Sequence, residues 1–280
     1  MSIEVPAEGL QEILKMIEGD ITSERVSIIM LERKIRIKGK SFPTEVLDDI
    51  IEATRNLVFP PEPVLGKFLV VTGIDRSGKE TQCFNPKGIK GVVPIYDFLR
   101  DSSYKVLKVS LPSYDTTLGA LVASYLKKPS NIVIKGELSK DYAWILWSLD
   151  RAKHNNSILE WLKDDKKNMA LSRRWLESNV VYQKIHGIDE KRVLNLEKNI
   201  IKQDYTFIID LPADIALKRA EKSEERKDFY EDVAFLEKVR QLFLHLQDHY
   251  PFGKVFIIDG TNPPDVVNKQ ILDSLRELGI

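Results

Sequence analysis

Phe68-Leu69-Val70-Val71-Thr72-Gly73-Ile74-Asp75-Arg76-Ser77-Gly78-Lys79-Glu80-Thr81 changes character at its middle. The first half is an unbroken apolar run, as a strand buried on both faces requires. The second half places Gly73, Gly78 and Lys79 at the fixed positions of G-x-x-x-x-G-K. Glycine is needed where the backbone curls and its N–H groups must come close to phosphate oxygens. The lysine brings a mobile positive charge to the β- and γ-phosphates. A strand running straight into the loop is the context this motif demands. The stretch therefore predicts a loop in which Gly73, Ser77, Gly78, Lys79, Glu80 and Thr81 surround the phosphates of ATP or a related triphosphate. One position departs from the motif. The Ser or Thr that normally ligates Mg²⁺ is Glu80, followed by Thr81. A carboxylate is a hard oxygen ligand, so Glu80 is the candidate for Mg²⁺, although it also sets negative charge beside the phosphates.

Downstream, short apolar runs alternate with longer amphipathic stretches. The runs are Val106 to Leu111, Met169 to Leu171, Thr206 to Leu211 and Val255 to Asp259. With Phe68 to Thr72 they predict five parallel strands flanked by helices on both faces, the α/β architecture in which ligands sit at the strands' C-terminal ends. The helix that follows Lys79 should stop after about two turns, because Asn85-Pro86 and Gly88 break it. A new helix should begin at Pro94.

Upstream, residues 1–63 have a different texture and predict a small α+β unit of unknown role, apart from a main domain over 64–280. Leu10, Ile13, Leu14 and Ile17 share one face of a helix, as do Leu47, Ile50, Ile51, Thr54 and Leu57 after Thr44. Ile35-Arg36-Ile37-Lys38 alternates apolar with basic and reads as a half-buried strand. Phe59-Pro60-Pro61-Glu62-Pro63 resists both helix and sheet and marks the boundary.

Lys plus Arg equals Asp plus Glu at 42 each, so the chain lacks the basic excess of a protein built to grip nucleic acid. The single cysteine, Cys83, forms neither an internal disulfide nor a cysteine-based metal site by itself. No basic-then-apolar leader is evident and no apolar run is long enough to span a bilayer, so the expected setting is the cytoplasm, without a membrane partner. His154, His186, His245 and His249 make no trustworthy metal-ligand spacing.

At this point the residues resemble the thymidylate kinases, a family of P-loop nucleoside-monophosphate kinases. The likeness runs from Lys67 to the C-terminus and leaves the N-terminal unit uncovered. It is carried by the loop 73–79 with its Asp75 and Arg76, by Leu111-Pro112 with Gly119 and Tyr125-Leu126-Lys127-Lys128, and by Trp147-Ser148-Leu149-Asp150-Arg151. Arg174-Trp175 with Ser178-Asn179 and Tyr182-Gln183, Asp210-Leu211-Pro212 with Ala216-Leu217-Lys218-Arg219, and Phe235 to Arg240 complete it in the family's order. Four departures fall on chemistry. Thr72 stands where the family has Glu, Tyr114 where it has Arg, Arg173 where its Asp-Arg-Tyr motif has Asp, and Phe229-Tyr230 where its lid has Arg-Phe.

The resemblance implies a three-layer P-loop kinase fold and transfer of the ATP γ-phosphoryl to dTMP, with Mg²⁺, in a homodimer. Lys79 would hold the β- and γ-phosphates. Arg76 would lean on the transferring phosphoryl, or is an exposed loop arginine. Asp75 would meet the acceptor's sugar hydroxyl or a metal-bound water, or caps a turn. Arg174 would grip the acceptor's phosphate with its planar fork. Trp147 would stack on the base, or is core packing beside Trp144. Arg151 would hydrogen-bond the base, with Asn179, Tyr182 and Tyr114 completing the acceptor site. Arg219, Lys222 and Arg226 would be lid cations, or a solvated helix face. Two alternatives stay open: a kinase for another pyrimidine monophosphate, and a nucleotide-binding paralogue that has lost transfer and acts as a regulator or partner, which Glu80 and Arg173 motivate.

Overall fold

The computed structural model describes residues 3–23, 27–221 and 233–280. Its strands are β1 (Ile3–Pro6), β2 (Lys67–Thr72), β3 (Lys105–Ser110), β4 (Ile132–Lys135), β5 (Asn168–Arg173), β6 (Tyr205–Asp210) and β7 (Lys254–Asp259). Five of them form one sheet in the order β3-β5-β2-β6-β7, with every pairing parallel. The apolar runs expected as strands are the strands of this sheet. β2 lies at its centre, and Phe68, Leu69, Val70 and Val71 are fully buried. That is why the run is continuous rather than alternating.

Alternation along each strand feeds two cores. Leu69, Val71, Phe207 and Ile209 face one way and pack with Cys83, Ile95, Leu99, Ile271 and Leu275. Ile208 faces the other way and packs with Val181, Leu236, Val239 and Phe243. Burial pushes the Cys83 thiol up to about 12, which leaves it unreactive at neutral pH.

The chain divides into two compact units. One holds the five-stranded sheet and comprises residues 63–110, 160–185 and 202–280. The other gathers residues 1–62 with 111–159 and 186–201. Within the second unit β1 pairs in parallel with β4, placing the N-terminal segment and a later segment in one small sheet.

Ile35-Arg36-Ile37-Lys38 corrects the sequence reading, because it is the end of a helix, Ile28–Lys38. Leu31 and Ile35 are its buried residues, one turn apart, while Ile37 is 60% exposed. Arg36 pairs with Asp48 and Lys38 with Glu12. Four alternating residues fit a strand face and a helix edge equally well, and here the helical spacing of Leu31 and Ile35 decides.

The helix Lys79–Phe84 stops as expected. Asn85 adopts a left-handed conformation with φ of 41° and its side-chain amide donates to the carbonyls of Ile89 and Val92. The next helix, Ile95–Asp101, starts directly after Pro94.

Candidate functional site

The loop after β2 depends on backbone conformations that most residues avoid. Gly73 has φ of 134°, and a Cβ there would sit 2.6 Å from the carbonyl oxygen of Ile209 on the neighbouring strand. Gly78 has φ of 95°. Arg76 and Arg174 are left-handed without being glycine, with φ of 63° and 68°. Such residues cost of order 1–3 kcal/mol each and gather at ligand clamps. Arg174 keeps its strained backbone because its N–H donates to the Val71 carbonyl at 3.0 Å and its carbonyl accepts from Ser172 Oγ at 2.6 Å.

The register of β2 with β5 pairs Val71 with Arg173, so the loop and the end of β5 share one edge of the sheet. Their side chains interlock. Lys79 is 6% exposed and donates through Nζ to the Ile74 carbonyl at 2.5 Å. Arg174 pairs with Asp75, donates to Tyr182 Oη at 3.3 Å and lies over the Tyr182 ring at 5.1 Å. Its Nη1 is buried without a partner, which leaves a donor for an anion. Arg173 donates from Nη1 to Glu80 at 3.0 Å and from Nε to Ser110 Oγ at 2.8 Å.

A buried polar chain supports this edge. Thr72 Oγ1 and Ser178 Oγ are 3.0 Å apart, Ser178 donates to Glu177, and Glu177 also accepts from the Trp175 N–H. Asn179 is buried and accepts from Gln183 at 3.2 Å. Arg219 donates to the Gly260 carbonyl at 3.1 Å. Lys222, Arg226, Phe229 and Tyr230 lie outside the described residues.

Trp147, Arg151 and Tyr114 fall in the other unit. Trp147 is half-buried and meets Tyr125 edge-on at 5.7 Å. Arg151 is 3% exposed; its guanidinium donates to Glu197 at 2.6 Å and back to the Trp147 carbonyl at 3.1 Å. Tyr114 is exposed, with Lys128 Nζ 4.9 Å from its ring centroid. Beside it, Ser113 Oγ bonds the buried Asp150 and lies 3.0 Å from His154 Nε2. Burial raises the Asp150 carboxyl and lowers the His154 imidazole, which favours a neutral ring. The sequence reading did not single out this cluster. Its one signal was Gly119, where a Cβ would come within 1.8 Å of the Ser113 carbonyl oxygen.

The family model described as thymidylate kinase matches residues 71–271. A thymidylate kinase from Sulfurihydrogenibium sp. (strain YO3AOP1) is 32% identical over 222 residues, covering 77% of this chain and all of that protein. The chain belongs to the thymidylate kinase family. Another member, the thymidylate kinase of Plasmodium falciparum, is 24% identical over 77% of this chain and 92% of its own. The fold is shared with a solved thymidylate kinase from Candida albicans at a TM-score of 0.55 and 21% identity, over 78% of this chain and 94% of that one. As a member of this family the chain is an ATP-dependent nucleoside-monophosphate kinase.

As a member of this family it offers a thin donor set for a divalent cation. Glu80 is bound by Arg173 and Asp75 by Arg174. No group of three or more His, Cys, Asp or Glu is placed to hold a metal among the described residues. Among the described residues these two carboxylates of the loop are therefore engaged by arginines. The described helices also include none long and apolar enough to cross a membrane.

Lys79 gives a measurable signature. Burial, then the charges of Arg174 and Arg173, hold its ammonium well below the usual lysine range. A bound triphosphate favours the charged amine and raises that pKa. At any pH between the depressed value and the bound value, ATP binding must therefore take up protons, and affinity must fall as pH rises through the bound value. Calorimetry in buffers of different ionisation enthalpy should show this uptake as a buffer-dependent binding enthalpy. Proton release, or none, would contradict the burial of Lys79 beside these arginines.

Proposed function

We propose that this chain transfers the γ-phosphoryl of ATP to dTMP, giving dTDP and ADP. The bond from the γ-phosphorus to the β–γ bridging oxygen breaks, and a new one forms to an oxygen of the acceptor's phosphate. The observation that carries the reading is Arg174, held in a left-handed conformation beside the phosphate loop with a buried, unpartnered Nη1. Phosphoryl transfer needs positioning and charge neutralisation more than covalent chemistry. Gly73, Ser77, Gly78 and Thr81 supply loop contacts to ATP, Lys79 holds its β- and γ-phosphates, and Arg76 leans on the phosphoryl in flight. Arg174 grips the acceptor's phosphate while Asp75 orients it.

Asn179 and Tyr182 are proposed for the acceptor. For Trp147 and Arg151 the proposal is contact with the acceptor's base, and for Tyr114 contact with the acceptor; both rest on the family pattern alone. Arg219, Lys222 and Arg226 are proposed as lid cations. Mg²⁺ enters this proposal only as the counter-ion ATP carries. A homodimer and a cytoplasmic setting are proposed on the same family grounds. Residues 1–63 lie ahead of the matched region, and we propose that they brace residues 111–159 and 186–201 within their shared unit. Glu18, for example, pairs with Arg192 and Asn56 donates to the Ala152 carbonyl.

A second reading, nucleotide binding without transfer, is favoured by Glu80 and Arg173 standing where the family handles its metal. Coupled ADP release with ATP and a panel of monophosphates separates the two. The expected result is turnover with the greatest kcat/KM for dTMP. A greater value for another pyrimidine monophosphate would reassign the acceptor. No turnover with any, despite measurable ATP binding, would leave the binding-only reading.

A further inference from the structure

Phosphate loops of this kind usually give Mg²⁺ two protein groups: the hydroxyl directly after the lysine and an acidic side chain at the end of a neighbouring strand. Both positions are altered here, and in opposite senses. The hydroxyl position carries Glu80, and β5, hydrogen-bonded beside β2, ends in Arg173. The two residues meet at 3.0 Å, so a carboxylate and a guanidinium face each other where a metal would take its ligands.

The guanidinium is anchored as well as paired. Its Nε donates to Ser110 Oγ at the end of β3, which fixes the plane of the fork. Nη1 goes to Glu80, and Nη2 has no partner among the described residues. A planar guanidinium with open donors matches phosphate oxygens. Stability does not explain the pair. Glu80 is 53% exposed and Arg173 26%, and ion pairs of that exposure contribute about 0–1 kcal/mol. The other carboxylate of the loop, Asp75, is already taken by Arg174.

We infer that this site neutralises the triphosphate with the fixed guanidinium of Arg173 in place of protein-held metal, the described residues contributing no ligand to a divalent cation. Arg173 is thus a further phosphate-binding residue, and Glu80 positions it. The inference rests on the kinase reading above, because it assumes that the loop holds ATP. It makes the coupling between metal and nucleotide weak. By reciprocity, a protein that gives the metal no ligand gains little ATP affinity when the metal is added.

The test is ATP binding by calorimetry to the full chain, once with excess Mg²⁺ and once with EDTA. For the natural protein the two dissociation constants should agree within about threefold, less than the tenfold that 1.4 kcal/mol represents. The double variant E80S/R173D restores a hydroxyl and a carboxylate, and Mg²⁺ should tighten its ATP binding by about tenfold or more. Glu80→Ser alone keeps the guanidinium and should stay insensitive to the metal, an outcome a purely structural pair would not produce. If the double variant does not fold, Arg173→Gln frees Glu80 for the metal and should gain the same dependence. Natural protein tightened about tenfold by Mg²⁺, or variants lacking Arg173 no more metal-dependent than the natural chain, would overturn the inference. Failure to bind ATP in either buffer would overturn the phosphate-loop reading itself, and this inference with it.

Discussion

Replacing Arg174 with alanine should lower kcat/KM for the acceptor about a hundredfold or more, because the acceptor's phosphate is no longer held in line. Three features make this residue irreplaceable. Its backbone is locked at φ of 68° by the Val71 carbonyl, so the side chain leaves the sheet edge in one direction. Asp75 and Tyr182 engage the guanidinium on one side, and Nη1 stays buried without a partner on the other. Lysine brings charge but no fork, so Arg174→Lys should recover little of the loss. Stability should change far less than activity. Asp75 is 44% exposed in side chain and hydrates once Arg174 is gone. Steady-state kinetics beside a thermal melt separates the two effects. Near-normal kcat/KM in Arg174→Ala would remove this arginine from the chemistry.

The largest stability effect should come from Glu197→Ala. Arg151 and Glu197 pair at 2.6 Å with exposures of 3% and 0%. Deleting the carboxylate removes the hydrogen-bonded counter-charge of a buried guanidinium, which costs about 3–5 kcal/mol. The pair also ties the helix Ile145–Lys163 to the residue that ends the helix Glu190–Leu196, so the loss spreads through that unit. Denaturant unfolding of the natural and variant proteins gives the number directly. A cost below about 1 kcal/mol, the level of an exposed pair, would show that the site is wet in solution. Lys218→Ala supplies the comparison, because its bond to Asp214 joins side chains that are 70% and 57% exposed. It should have almost no effect.

Where local chemistry decides the outcome, the sequence was easy to read. Phe68 to Val71 had to be a buried strand because four consecutive apolar residues need cover on both faces. Gly73 and Gly78 had to curl, since their φ values of 134° and 95° are closed to most residues. Asn85-Pro86 had to end the helix that begins at Lys79. Ile35 to Lys38 misled because four residues do not distinguish period 2 from period 3.6, and the buried partner that settles it, Leu31, lay just outside the window.

The candidate site was half legible. The loop motif set Asp75 and Lys79 side by side, the family resemblance added Arg174, and the structure places the three together. The clasp of Arg173 on Glu80 was invisible, because the partners are 93 residues apart and meet only through the β2–β5 register. Arg151 was read as a donor to a ligand. Its partner Glu197 lies 46 residues further along the chain, and no local pattern announces it. The Ser113, Asp150 and His154 cluster was hidden for the same reason.

The central claim is that Lys79 and Arg174 bring ATP and a pyrimidine monophosphate into line for direct transfer. Incubation with γ-labelled ATP and dTMP, followed by separation of the nucleotides, tests it most directly. The account predicts label in dTDP and in no other product, and none after Lys79→Ala. ATP bound by the natural protein, with the label remaining on ATP or appearing only as inorganic phosphate, would contradict it.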